Sequence, residues 1–132
     1  MEGAAAMASP GKKILIVEDE KSLLKLESIL LKSKGYQVIG ASSGTEALAL
    51  VAQERPDLIL LDVMLPGMDG FKVCARLKSS PETRDIPVVM VTARTKQDDI
   101  ARGREVGADE YITKPFQSAR VTSTIARLLG ER

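Results

Sequence analysis

The stretch LILLDVMLPGMDG (residues 58–70) decides how this chain is read. Four aliphatic residues, Leu58–Leu61, run without polar interruption and stop at a carboxylate, Asp62. A short apolar run of this kind, too brief for a helix and not alternating, is how a strand covered on both faces of a parallel sheet reads. Asp62 is followed by Val63, Met64 and Leu65, so the acid sits in an apolar setting. Met68 and Phe71 flank Asp69-Gly70, a pair that suits a turn followed by entry into a helix. Two more runs share the pattern: Ile14–Val17 ends at Glu18, and Val88–Val91 ends at Thr92. Tyr36–Ala41 and Glu110–Thr113 are weaker strand candidates, expected nearer the edges of the sheet.

Amphipathic stretches separate these runs. Leu23, Leu26, Ile29 and Leu30 predict the buried stripe of a helix from about Lys21 to Lys34, stopped by Gly35. Ala47, Leu48 and Val51 mark a second helix over Thr45–Glu54, before Pro56. Val73, Cys74 and Leu77 mark a short third after Gly70. Gln97–Val106 is a weaker fourth, with Gly103 inside it, where glycine costs about 1 kcal/mol relative to Ala. Gly103 suits either a mobile segment or close packing. Val121, Ile125, Leu128 and Leu129 give the i, i+4, i+7, i+8 spacing of a last helix. Five βα units with right-handed crossovers predict an α/β fold, a parallel sheet between two helical layers.

Composition narrows the function. The 132 residues are one domain's worth of chain, read as a disordered leader of small residues at 1–11 and a single domain at 12–132. Within those residues the last helix leaves no room for an output domain. Nineteen Lys and Arg against eighteen Asp and Glu leave +1, so there is no general electrostatic case for direct nucleic-acid or membrane binding. No apolar run approaches a membrane span. The single Cys74 forms no intrachain disulfide and is read as facing the core, which favours a reducing, cytoplasmic setting. The absence of histidine removes a Ser-His-Asp triad, a Cys-His pair and His-ligated zinc. Chemistry is left to carboxylates, hydroxyls, lysine and backbone.

Open α/β sheets place their sites beyond the carboxyl ends of the strands. The residues there are Glu18, Asp19 and Glu20 after the first strand, Asp62 after the third, Thr92 after the fourth, and Lys114-Pro115 after the fifth. Each has a structural reading alone. Asp19 suits a helix N-cap, Glu18 and Glu20 a helix N-terminus, Thr92 a strand end, and Lys114 a solvated surface. Asp62 is the exception, since a carboxylate among apolar residues needs a partner. Together the set points to chemistry. Two like charges 4 Å apart repel by about 4 kcal/mol at an effective dielectric near 20, so bringing Glu18, Asp19 and Asp62 together without a cation is unfavourable. An all-oxygen donor set suits Mg²⁺, with an open position for a phosphoryl oxygen. Lys114 and Thr92 face it as donors to an anion. This is the arrangement of a carboxylate nucleophile assisted by a metal and a fixed ammonium.

At these residues the sequence resembles the receiver domain of two-component response regulators, stand-alone or part of a longer regulator. The matching stretches are ILIVEDE (14–20), LILLDVMLPGMDG (58–70), PVVMVTA (87–93), GADEY (107–111) and TKPF (113–116), covering roughly residues 12–130 in the family's order. The resemblance implies a five-stranded parallel sheet of order 2-1-3-4-5 with helices on both faces, the flavodoxin-like receiver fold. It implies Asp62 as phosphoacceptor, and Mg²⁺ held by Glu18, Asp19, Asp62 and the backbone carbonyl of Met64. It implies Lys114 as the phosphate-pairing lysine, Thr92 as the switch hydroxyl and Tyr111 as the switch aromatic. It further implies a cis peptide at Lys114–Pro115. Departures are few: the first acidic position is Glu18, where Asp is also common in the family; SSPETRD (79–85) lengthens the connection before the fourth strand; and Met64 and Arg94 occupy variable positions that tune phosphate lifetime in the family.

With no histidine in this chain, the phosphohistidine donor that the resemblance implies lies on a partner, a histidine kinase or a histidine phosphotransfer protein. The downstream protein target would read the fourth helix, fifth strand and fifth helix. The implied protein phosphorylates and dephosphorylates itself without being a turnover enzyme. Three rivals are weighed against this. An aspartate-nucleophile phosphohydrolase wants a second acid two residues on, where Met64 stands. A flavin carrier wants a Ser/Thr-rich phosphate loop where Glu18-Asp19-Glu20 stands. A receiver-like interaction module that is never phosphorylated would be expected to lack an acid or the lysine, and all are present.

Overall fold

The computed structural model describes residues 11–131. The reading of Met1–Gly11 as a leader therefore falls, apart from Gly11, outside the described residues. Strands β1 (Lys13–Val17), β2 (Gln37–Ala41), β3 (Leu58–Leu61), β4 (Val88–Thr92) and β5 (Glu110–Thr113) alternate with helices α1 (Lys21–Ser33), α2 (Gly44–Glu54), α3 (Gly70–Ser79), α4 (Gln97–Glu105) and α5 (Ser118–Leu128). All strand pairs are parallel and the order is β2-β1-β3-β4-β5. The two weaker strand candidates are the edges.

The side-chain period of two assigns each strand residue to a layer. Leu15, Val17, Ile59, Leu61, Val88 and Met90 pack with Ala47 and Val51 of α2 and Phe71, Val73, Cys74 and Leu77 of α3. Ile14, Ile16, Leu58, Leu60, Val89, Val91 and Ile112 face Leu31 of α1 and Val121 and Ile125 of α5. β3 and β4 are buried along their whole length, which is why they carry no alternation. Burying each such aliphatic side chain contributes roughly 1.5–3 kcal/mol, so the central strands fix the frame on which the rim stands.

Helix starts follow local chemistry in two cases. The Asp69 carboxylate accepts from the Lys72 N–H at 3.0 Å, and the Ser43 hydroxyl accepts from the Glu46 N–H at 3.1 Å. The added residues before β4 form a turn held by Lys78, whose ammonium donates to the carbonyls of Arg84 (3.1 Å) and Ile86 (2.8 Å) and to Asp109 (3.2 Å).

α1 departs from the sequence reading in two respects. Its N-cap residue is Glu20 and no side chain caps it, so Asp19 is not an N-cap. Its buried positions are Glu27 and Leu31, while Leu26 is 62% and Ile29 57% exposed. The predicted stripe is rotated from the true one. Leu23, Leu24, Leu26, Ile29, Leu30 and Leu31 nearly encircle the helix, so periodicity alone leaves its phase open, and contact with β2 and the α5 layer sets it.

Candidate functional site

The rim at the carboxyl ends of β1, β3, β4 and β5 is built by backbone pairing. The Asp62 N–H donates to the Val17 carbonyl at 3.0 Å, the Glu18 N–H to Ala41 at 2.9 Å, and the Lys114 N–H to Thr92 at 2.8 Å. Each residue after a strand is thus tied to the end of its neighbour. The acids come from elements far apart in the chain and meet because parallel strands all end at the same side. Carboxylate oxygens of Glu18, Asp19 and Asp62 lie within 4.8 Å of one another. Glu18 and Asp62 are buried and Asp19 is exposed.

Lys114 reaches into this cluster. Its Nζ lies 2.6 Å from Glu18 Oε1 and 2.9 Å from Asp62 Oδ2. The other oxygens are used too: Asp62 Oδ1 accepts from the Met64 N–H at 3.0 Å, and Glu18 Oε2 from the Glu20 N–H at 3.2 Å. Burial pushes the Glu18 carboxyl up from its ordinary value, the charge of Asp62 adds to this, and the Lys114 hydrogen bond opposes both. For Lys114 burial alone would lower the ammonium, but hydrogen bonds and charge from Glu18 and Asp62 outweigh it and the net direction is up. Three carboxylates against one ammonium leave an excess of two negative charges at the rim. The donors are all oxygen, the set a hard divalent ion prefers.

Gly70 is a site residue that the sequence reading treated only as a turn. A Cβ there would fall 2.3 Å from the Asp62 carbonyl oxygen and 2.7 Å from the Val63 Cα. The start of α3 therefore presses directly on the backbone that carries Asp62. A close approach of two backbones leaves no mark in periodicity, so the sequence carried no signal for this contact.

Thr92 is wholly buried at the end of β4, and its hydroxyl accepts from the Arg94 N–H at 3.3 Å. Tyr111 on β5 is half-buried, and its hydroxyl donates to the Arg94 carbonyl at 2.8 Å. Both residues thus engage the same backbone segment after β4. The Lys114–Pro115 peptide is cis. Met64 contributes its backbone to Asp62 and leaves its side chain exposed.

Glu27 was not singled out by sequence. It is 5% exposed, among Leu30, Leu31, Leu60, Val91, Phe116 and Val121. Burial pushes its carboxyl up to about 7, with the negative charges of Glu18 and Asp62 adding to the shift and Lys114 opposing it.

Comparison with known proteins sets this rim in context. The family model described as the response regulator receiver domain matches residues 14–126. The phosphate regulon transcriptional regulatory protein PhoB of Pseudomonas aeruginosa is 42% identical over 119 residues, 90% of this chain and 52% of that protein. The alkaline phosphatase synthesis transcriptional regulatory protein PhoP of Bacillus subtilis is 45% identical over 118 residues, 89% of this chain and 48% of that protein. The chain spans about half the length of these curated relatives. Among solved structures, the receiver domain of the sensor histidine kinase PA1611 from Pseudomonas aeruginosa superposes with a TM-score of 0.84 at 30% identity, covering 92% of this chain and 99% of that one. That structure has a magnesium ion coordinated in its active-site cleft.

Proposed function

The chain belongs to the response regulator receiver domain family, and from that premise we propose that Asp62 is its phosphoacceptor, taking a phosphoryl group from a phosphohistidine on a partner protein. The observation that carries this reading is the placement of Asp62: a buried carboxylate with one oxygen 2.9 Å from the Lys114 ammonium, inside a three-acid cluster at the strand ends. These 132 residues hold no histidine, so the donor imidazole lies outside them, on a histidine kinase or a histidine phosphotransfer protein.

In this reading an Asp62 oxygen attacks phosphorus in line. The P–N bond breaks, its electron pair returns to the imidazole, and an acyl phosphate forms. Lys114 moves its attention from the carboxylates to the incoming phosphoryl oxygens and offsets their charge. The Met64 N–H holds the other Asp62 oxygen in place during attack. Glu18, Asp19, Asp62 and the carbonyl of Met64 would hold Mg²⁺, which fits the all-oxygen donors and the excess negative charge. When bound, Mg²⁺ supplies positive charge beside the transferring phosphoryl group. Water later cleaves the acyl phosphate, so the chain catalyses its own modification and its removal but turns over no separate substrate.

Thr92 and Tyr111 form the switch in this account. A phosphoryl oxygen draws the Thr92 hydroxyl away from the Arg94 N–H, and Tyr111, bonded to the Arg94 carbonyl, responds. The surface of α4, β5 and α5 then changes for a downstream protein. No helix among the described residues is long and apolar enough to cross a membrane. A cytoplasmic location agrees with the free, buried Cys74.

Intact mass of the protein incubated with acetyl phosphate and Mg²⁺ tests the reading. Wild type gains the mass of one phosphoryl group, and Asp62→Asn gains none. Equal uptake by the variant would overturn the assignment.

A further inference from the structure

Gly103 lies in the interior of α4 and is not among the glycines with positive φ, so its backbone conformation does not call for glycine. The space beside it does. A Cβ at this position would stand 2.8 Å from Tyr111 Cδ2, 3.1 Å from Tyr111 Cε2 and 3.2 Å from the Met90 sulfur. The thioether is the far end of a flexible chain and can give way. The Tyr111 ring is less free: its hydroxyl is held by the Arg94 carbonyl at 2.8 Å, and Arg94 is itself tied to α4 through Asp99 at 3.0 Å. The ring is therefore seated between the bare backbone of α4 on one side and a fixed acceptor at its tip.

We propose that Gly103 is a positioning residue for Tyr111: its missing side chain seats the ring in the orientation that bonds Arg94, and any side chain there unseats it without touching the acid cluster. The inference rests on the reading of Tyr111 as the switch aromatic and adds a residue that sets the resting side of the switch. A methyl group at 103 moves the two-state equilibrium from the α4 side, independently of phosphate. Helix propensity runs the opposite way, since Ala favours a helix interior over Gly. The two effects are separable because only one of them depends on the Tyr111 ring.

The chain has two tyrosines, Tyr36 and Tyr111, and no tryptophan. Protein carrying fluorotyrosine thus gives two fluorine resonances, and Tyr36, bonded through its hydroxyl to Glu131, is the internal reference. In Gly103→Ala without phosphodonor the Tyr111 resonance shifts and the Tyr36 resonance stays. The thermal midpoint falls in Gly103→Ala but rises when the same change is made in a Tyr111→Ala background. Should the single variant fail to fold, a folded Gly103→Ala/Tyr111→Ala double variant supports the seat, and failure of both overturns it. An unshifted Tyr111 resonance, or a midpoint raised by Gly103→Ala in both backgrounds, also overturns it. Beryllofluoride with Mg²⁺ on the wild type separates the underlying reading. A Tyr111 resonance that ignores it removes the switch role and the regulatory half of the inference, whereas the seat is decided by the Gly103→Ala change in the two backgrounds.

Discussion

Two ion pairs in this molecule have the same N···O distance and opposite settings. Lys114 and Glu18 meet at 2.6 Å with side chains 16% and 3% exposed, at the rim of the sheet. Arg127 and Glu110 meet at 2.6 Å with side chains 58% and 32% exposed, on the outer face of β5 and α5. Distance does not separate them; water does. At the outer pair, solvent screens the attraction, and losing one partner returns the other to water. At the rim, losing Lys114 strands two carboxylates that water hardly reaches. Glu27 completes the comparison as a buried acid in an apolar setting, where raising the pKa replaces pairing as the means of avoiding a buried charge.

The largest effect is expected from Lys114→Met. It leaves Glu18 and Asp62 facing each other unpaired, and urea unfolding at neutral pH without divalent ions should show a loss of about 3 kcal/mol. A second change, Glu18→Gln, should return part of it. A loss as small as that of a surface pair would erase the distinction between the two settings.

Glu27 gives an effect of similar size with a pH signature. Its carboxyl titrates at about 7 in the folded protein against an ordinary 4.5. Between these values the native state keeps a proton that the unfolded chain has released. Stability therefore falls as pH rises through that window and levels off above it, by on the order of 3 kcal/mol for this group. The difference in unfolding free energy between wild type and Glu27→Gln, followed from pH 4 to 8, should carry this slope, with the variant gaining relative to wild type as pH rises. Parallel curves would mean that Glu27 is not held neutral by its surroundings.

The smallest effect belongs to Arg127→Ala, expected to cost less than about 1 kcal/mol and to shrink further in high salt. A loss matching that of Lys114→Met would show that geometry, not burial, sets the strength of these pairs.

The same contrast explains what the sequence disclosed. The strands and the rim were legible because burial on both faces leaves an unbroken apolar run, as at Leu58–Leu61, and the first polar residue after it falls at the strand end. Parallel topology then brings Glu18, Asp62, Thr92 and Lys114 to one side without further information. The face of α1 was not legible, because six aliphatic residues spread around the helix and the choice of Glu27 over Leu26 is made by β-sheet and α5 contacts. Nor could Asp19 be seen to leave the helix uncapped, since the same residue type serves a cap and a metal cluster. Gly70 and Gly103 matter through the atoms that fill their missing side chains, and those atoms come from other elements.

The central claim is that one carboxylate, Asp62, carries the phosphoryl group. Borohydride reduces an acyl phosphate to the alcohol, converting the modified aspartate to homoserine, which peptide mass spectrometry locates. After treatment with acetyl phosphate and Mg²⁺, homoserine should appear at position 62 and only there, and should vanish when the metal is chelated. Homoserine at Asp19 or at any other aspartate, the longer alcohol 5-hydroxynorvaline at a glutamate such as Glu18, or no reduced residue at all in protein that has gained phosphoryl mass, would contradict the account.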